Sequence, residues 1–156
     1  MRRLVLSILA TLAGLASLVL VCGRDARADW AGGAMTEVPL ESNGSSWFVR
    51  ATINGTQRGL FLVDTGASLC VLAPGMASKL SLRPSGDQVE LHTANGVVKA
   101  PVVRLSSVDV GGNRARDVQA VVHNAVGPPL DGIIGLSFLN EFSYAVDPRR
   151  RVLRLR

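Results

Sequence analysis

An aspartate at the end of an apolar run is the feature of this sequence that could most directly do chemistry. Residues 60–63 (Leu-Phe-Leu-Val) are all apolar, and Asp64-Thr65-Gly66 follows them. A continuous apolar run predicts a strand buried on both faces, so we expect it to deliver the Asp64 carboxylate to a desolvated position. A buried carboxyl group must be hydrogen-bonded, paired or functional. Asp64 is therefore a candidate functional group, and an ordinary strand-ending turn is the alternative.

The residues that follow Asp64 suit a functional carboxylate. Gly66 has no Cβ where the backbone must approach that carboxylate, so backbone N–H groups are free to donate to it. Thr65 offers a hydroxyl at the tight turn, and Ala67 and Ser68 complete the loop. We expect residues 64–68 to act as one unit.

Two further segments accompany this loop. Ile133-Ile134-Gly135 lies about seventy residues after Asp64, and a hairpin with its turn at Thr93-Ala94-Asn95-Gly96 lies between them. With these three features, residues 45–156 resemble the retropepsin-like aspartic proteases, specifically the single-domain bacterial members that are exported or membrane-anchored. The resemblance implies that the hairpin turn is a flap, and that the apolar-apolar-Gly segment belongs to a strand that crosses behind the catalytic loop.

The resemblance also implies a mechanism. Members of this family hydrolyse polypeptides without a metal, cofactor or covalent intermediate, using two aspartates that share one proton. This chain has one Asp-Thr-Gly, so the second carboxylate is expected to be Asp64 of another copy, in a homodimer with its two-fold axis through the site. Thr65 would then bond across the axis. Asp131 is the intramolecular alternative, although it follows two prolines and is typical of a turn.

The sequence departs from the family at the flap and beside Asp64. The flap has neither the tyrosine of pepsin-type enzymes nor the several glycines of viral ones. Ala67 stands where pepsin-type enzymes usually carry Ser or Thr, whose hydroxyl stabilises the ionised carboxylate. A non-catalytic dimeric peptide-binding module of the same fold is the alternative function, but the intact Asp64, Thr65 and Gly66 favour an aspartic endopeptidase.

The elements that must position these residues are predominantly strands. Apolar runs separated by turn residues at intervals of roughly ten predict an all-β domain, and we expect a closed β-barrel with one or two short helices. Helical pattern is limited to residues 75–80 and 136–140, and a closing strand pair is expected at 143–147 and 151–155. Three hairpins are predicted, at 47–53 with 59–63, 89–93 with 97–100, and 108–110 with 118–122.

The first 28 residues differ in kind from the rest. Arg2 and Arg3 precede an apolar run at residues 4–21, and small residues at 26 and 28 suit a signal peptidase. We expect a cleaved signal peptide, and an uncleaved inner-membrane anchor through residues 4–21 is the alternative. Both predict an exported, periplasmic domain. Residues 29–44 are expected to be a flexible tether or an extra edge strand, and residues 45–156 the protease domain.

Charge and the other polar residues favour no competing class. The chain carries a net charge of +5, but residues 29–156 hold only 13 basic against 11 acidic groups. The arginines of the last eight residues have no accompanying nucleic-acid motif, so we interpret them as a basic turn before an edge strand and expect no nucleic-acid partner. His92 and His123 are isolated, so no metal site is expected. Cys70 lies in an apolar run and is expected to be a small buried side chain.

Overall fold

Strands make up most of the regular structure in the computed structural model, which describes residues 34–93 and 96–156. The expected leader at residues 1–28, and Ala94 and Asn95 of the flap turn, lie outside these residues. The elements are β1 (Thr36–Pro39), β2 (Glu41–Ser42), β3 (Trp47–Ile53), β4 (Gln57–Val63), β5 (Cys70–Leu72), α1 (Pro74–Lys79), β6 (Gln88–Thr93), β7 (Gly96–Val110), β8 (Asn113–Val122), β9 (Gly132–Ile134), α2 (Leu136–Leu139), β10 (Tyr144–Asp147) and β11 (Val152–Leu155).

Six of these strands close into a barrel, in the order β3-β4-β9-β5-β8-β7. The barrel closes where β7 pairs with β3, with Ala51 opposite Val110 and Ile53 opposite Val108. Short β2 extends the sheet beyond β3, and β6 extends it beyond β7. The closed all-β barrel predicted from the sequence is therefore confirmed, and closure leaves few free strand edges.

The three predicted hairpins are present as β3–β4, β6–β7 and β7–β8. The sequence pattern predicted separate strands at 97–100 and 108–110, whereas in the structure both belong to the single 15-residue strand β7. Pro101 is the last residue of β7 that pairs with β6, and Val102 is the first that pairs with β8. Proline lacks an N–H and is best tolerated where a ladder is interrupted, so Pro101 stands where the strand changes partners.

A separate sheet has the order β1-β11-β10, so β11 is its central strand. The prediction that the C-terminal arginines lie on an edge strand is therefore wrong, because residues 36–39 pair with β11. Val38 and Leu40 are each only 6% exposed. The compact unit accordingly begins at Met35 rather than at residue 45, and the edge-strand alternative describes residues 36–42 better than a flexible tether.

Two hydrophobic clusters lie on opposite faces of β9. Ile134 belongs to the larger cluster, which contains the fully buried Phe61 and Phe138. Ile133 belongs to a smaller cluster, which also holds Val71, Ala100, Val102 and Val121. Burying each large apolar side chain contributes about 1.5–3 kcal/mol, so both clusters fix β9 in the barrel.

Candidate functional site

The Asp64 loop, defined as residues 64–69, connects β4 to β5 and turns tightly around its aspartate. The Asp64 N–H donates to the Ile134 carbonyl oxygen at 3.1 Å, and the Ala67 N–H donates to the Asp64 carbonyl oxygen at 3.3 Å. The Gly66 N–H donates to Asp64 Oδ1 at 2.8 Å. A Cβ on Gly66 would lie 3.2 Å from that oxygen, which is tighter than ordinary contact. The loop therefore holds the carboxylate through a backbone donor that glycine allows to come close.

The Asp64 carboxylate is less buried than the sequence predicted. Asp64 is half-buried, while Thr65 and Gly66 are exposed. In β4, Gly59 and Phe61 are fully buried, whereas the residues next to Asp64 are only half-buried. The expected strand buried on both faces and the desolvated position are therefore wrong for a single chain. Asp64 follows the last residue of β4, and no other segment among the described residues covers it completely.

Strand β9 lies between the two strands that flank the Asp64 loop. It runs parallel to β4, with Val63 opposite Ile134, and antiparallel to β5, with Val71 opposite Ile133. Gly135 follows β9, and a Cβ there would lie 2.4 Å from the Leu69 carbonyl oxygen. The apolar-apolar-Gly segment thus backs the Asp64 loop, and its glycine allows the two backbones to touch.

Ser137, which the sequence analysis did not single out, also contacts this loop. Its N–H donates to the Ser68 carbonyl oxygen at 3.0 Å. Its hydroxyl accepts from the Cys70 N–H at 2.9 Å and donates to the Gln119 carbonyl oxygen at 2.8 Å. A serine in the first turn of a short helix is typical of capping, so no local pattern predicts these distant partners.

A groove of about 510 Å³ is lined by Asp64 on one hand and by residues 89–91 of strand β6 on the other. Half of its twelve lining residues are aliphatic side chains that belong to the smaller hydrophobic cluster or pack against it. Such a groove suits an apolar side chain held next to the carboxylate. The lining residues are Asp64, Gly66, Ala67, Ser68, Leu69, Val71, Val89, Glu90, Leu91, His123, Ala125 and Ile133.

The flap is formed by the β6–β7 hairpin, in which Thr93 pairs with Gly96. Ala94 and Asn95, predicted to be at its tip, lie outside the described residues. Val89 and Leu91 of β6 line the groove. Val97, on the other strand of the hairpin, is the exposed large hydrophobic residue of the described part of the chain, with 55% of its surface accessible. The flap hairpin thus forms one wall of the groove that contains Asp64.

Asp131 lies beside the middle of β4, whereas Asp64 follows its last residue. Its N–H donates to the Leu60 carbonyl oxygen at 2.8 Å, and its Oδ2 accepts from the Leu60 N–H at 3.0 Å. Leu60 and Asp64 are four residues apart along an extended chain, which is about 13 Å. The Asp131 carboxylate is hydrogen-bonded to Leu60 rather than directed to Asp64, so the two side chains do not meet to share a proton. Asp131 is a structural acceptor, and the intramolecular alternative is excluded by this geometry.

His123 and Cys70 are the other polar candidates whose side chains the structure describes, and the side chain of His92 lies outside the described part. Within residues 34–93 and 96–156, no three His, Cys, Asp or Glu side chains lie close enough to hold a metal ion. His123 lines the groove instead. Cys70 is buried, and burial raises the pKa of its thiol. A buried thiol with a raised pKa is a poor nucleophile, so Cys70 acts as a core side chain.

The C-terminal arginines contact acidic residues of their own sheet. The Arg150 guanidinium donates to both carboxylate oxygens of Glu37. Arg154 forms ion pairs with Glu37 and with Asp147, each at 3.2 Å.

No helix formed by the described residues is long and apolar enough to cross a membrane. The apolar run at residues 4–21 lies outside that part of the chain.

Comparison with known proteins places this geometry in a family. A family model described as aspartyl protease matches residues 49–138. The chain is similar to the crystal structure of a retropepsin-like aspartic protease from Rickettsia conorii, with 26% sequence identity and a TM-score of 0.59, covering 78% of this chain and 89% of that one. A search of the curated proteins found no match. The matched segment contains both Asp64 and Gly135.

Proposed function

The chain belongs to the aspartyl protease family and has a retropepsin-like fold, and we propose that it is an endopeptidase whose active site forms from two copies of Asp64. The observation that carries this proposal is the position of Asp64. Its carboxylate accepts from the Gly66 N–H, and Asp64 lines a partly aliphatic groove and is half-exposed beside the exposed Thr65 and Gly66. A second copy of the chain would cover this open side.

A homodimer supplies what one chain lacks. Each chain carries one Asp-Thr-Gly aspartate at the site, since Asp131 is hydrogen-bonded to Leu60, about 13 Å from Asp64 along β4. A two-fold axis next to the exposed Thr65 and Gly66 would bring two Asp64 side chains together. Two adjacent carboxylates cannot both ionise easily, so they hold one proton between them.

This shared proton provides both halves of the hydrolysis. The ionised Asp64 removes a proton from a water molecule, and the water oxygen attacks the scissile carbonyl carbon. The protonated Asp64 donates its proton to the carbonyl oxygen in the same step. When the resulting diol collapses and its C–N bond breaks, the Asp64 that took the water proton gives it to the leaving nitrogen, and the other Asp64 takes a proton from a diol hydroxyl. Both Asp64 side chains are then ready for the next peptide.

The groove and the leader suggest where and on what the enzyme acts. The aliphatic walls next to Asp64 favour an extended polypeptide that places an apolar side chain beside the scissile bond. The apolar run at residues 4–21 supports export, either by a cleaved signal peptide or with an inner-membrane anchor. We therefore propose cleavage of exposed, extended segments of envelope proteins in the periplasm.

The direct test is a cleavage assay with matched aspartate variants. The protein, Asp64→Asn and Asp131→Asn are each incubated with a denatured protein mixture at several pH values, and new peptide termini are identified by mass spectrometry. Asp64→Asn should abolish cleavage because the amide cannot act as a base, while Asp131→Asn keeps an acceptor for the Leu60 N–H and should remain active. Cleavage that survives in folded Asp64→Asn would contradict the proposal. A dimer that binds peptides without producing new termini would indicate the non-catalytic module.

A further inference from the structure

The end of the Asp64 loop is fastened to helix α2 at three successive points. The Leu136 N–H donates to the Ala67 carbonyl oxygen at 2.8 Å, and the Ser137 N–H donates to the Ser68 carbonyl oxygen at 3.0 Å. The third point is the only one made by a side chain, since the Cys70 N–H donates to Ser137 Oγ at 2.9 Å. The loop is thereby held from Ala67 to the first residue of β5.

The Ser137 hydroxyl also reaches a third element. It donates to the carbonyl oxygen of Gln119 in β8 at 2.8 Å. The next residue of β8, Ala120, lies opposite Cys70 where the parallel pairing of β5 and β8 begins. The hydroxyl therefore uses its single donor and one acceptor position to join α2, β5 and β8 at one point.

We propose that Ser137 is a positioning residue for Asp64, a role that rests on the proposed function. The Asp64 loop is fixed at its start by the bond from the Asp64 N–H to Ile134, and at its end by Ser137. Removing the hydroxyl leaves the N–H of Cys70, which is 1% exposed, without its acceptor. A buried unpaired donor is costly, so the loop end would shift to find another partner.

Such a shift matters because two Asp64 loops must meet at one axis. A misplacement of about 1 Å from a change outside the reacting groups can lower a rate about a hundredfold. Ser137 is not among the residues that line the groove, so its loss should lower kcat more than it changes KM.

The test compares Ser137→Ala with Ser137→Thr, which keeps the hydroxyl. Ser78→Ala is the matched control, because the Ser78 hydroxyl donates to the Pro74 carbonyl oxygen at 2.9 Å at an exposed position of α1, and Ser78 does not line the groove. Two quantities are measured in folded protein: the exchange rate of the Cys70 amide hydrogen, and kcat and KM for a peptide substrate. Ser137→Ala should speed that exchange about tenfold or more and lower kcat about tenfold or more, with KM changed less than about threefold.

Ser137→Thr should restore both quantities to near the wild-type values, and Ser78→Ala should leave them unchanged. Unchanged Cys70 exchange or unchanged kcat in Ser137→Ala would overturn the role, as would failure of folded Ser137→Thr to restore kcat. If the wild-type protein cleaves nothing, the proposed function fails separately. The Cys70 exchange rate then still decides whether the hydroxyl fastens the loop.

Discussion

Gly135→Ala should destabilise the fold and displace the Asp64 loop. The new Cβ would lie 2.4 Å from the Leu69 carbonyl oxygen and 2.7 Å from the Ala67 carbonyl oxygen. Ordinary contact begins at 3.4 Å, so the backbones must separate by about 1 Å. Both neighbours are backbone atoms of the Asp64 loop, and they cannot move aside as a side chain would.

The magnitude follows from two opposing effects. Gly135 has φ −107° and ψ −170°, an extended conformation that alanine adopts freely, so the substitution adds no backbone strain. Lower entropy of the unfolded chain would stabilise the variant by about 0.4–1 kcal/mol. Overpacking against backbone costs about 1–3 kcal/mol or somewhat more. A contact of 2.4 Å with a backbone oxygen belongs in the upper part of that range, so we expect a net loss of about 1–2.5 kcal/mol and a fall in Tm of about 4–10 °C.

Gly75→Ala is the matched control, because Gly75 lies in α1 and its added Cβ would meet nothing within 4 Å. That change should raise the free energy of unfolding by about 0.5–1 kcal/mol. Urea unfolding followed by circular dichroism measures both variants. If Gly135→Ala were as stable as the wild type, or more stable, while Gly75→Ala behaved as expected, β9 would not hold the loop at van der Waals distance.

Two further predictions concern pH. Ala67→Ser places a hydroxyl beside Asp64, where it can donate to the carboxylate pair and stabilise its ionised form. The pH–rate profile of the dimer should therefore move to more acidic pH. A profile that stays in place or moves to alkaline pH in the folded dimer would contradict this prediction. The backbone N–H of Arg150, together with the charge on Arg154 and the N–H of Arg149, holds the pKa of Asp147 below its usual value. This carboxylate therefore stabilises the fold above about pH 3.9, and the stabilisation is lost as the pH falls through the lower pKa of the folded state. Asp147→Asn should lower Tm at pH 7, and the difference from the wild type should shrink as the pH falls below about 3.9, as measured by thermal unfolding across pH; a difference that stays the same at every pH would contradict it.

The hairpins could be predicted because their signals are local. Asn54 and Gly55 turn β3 into β4 with positive φ values of 50° and 70°, which is what an Asn-Gly pair favours. The pairing of β1 with β11 could not be predicted, because it joins segments at opposite ends of the described chain and β1 is only four residues long.

The site shows the same division. The hydrogen bond from the Gly66 N–H to the Asp64 carboxylate could be predicted from the sequence Asp64-Thr65-Gly66. The same three residues show why a residue without a Cβ is needed there. The role of Ser137 was missed because its hydroxyl bonds to Cys70 and Gln119, which are 67 and 18 positions away from it in the sequence. Asp64 is half-exposed, although the sequence predicted that it is buried. An apolar run indicates that a strand packs against other residues, and it does not indicate whether those residues belong to the same chain.

The proposal that two chains share one active site is tested most directly by mixing wild-type and Asp64→Asn chains. The chains are unfolded, combined in varying proportions at constant total concentration, refolded together and assayed for peptide cleavage. If each active dimer needs two Asp64 side chains, activity follows the square of the wild-type fraction, and an equal mixture keeps about one quarter of the wild-type activity. An equal mixture that keeps about one half, with activity linear in the wild-type fraction, would show that each chain works alone and would contradict the account.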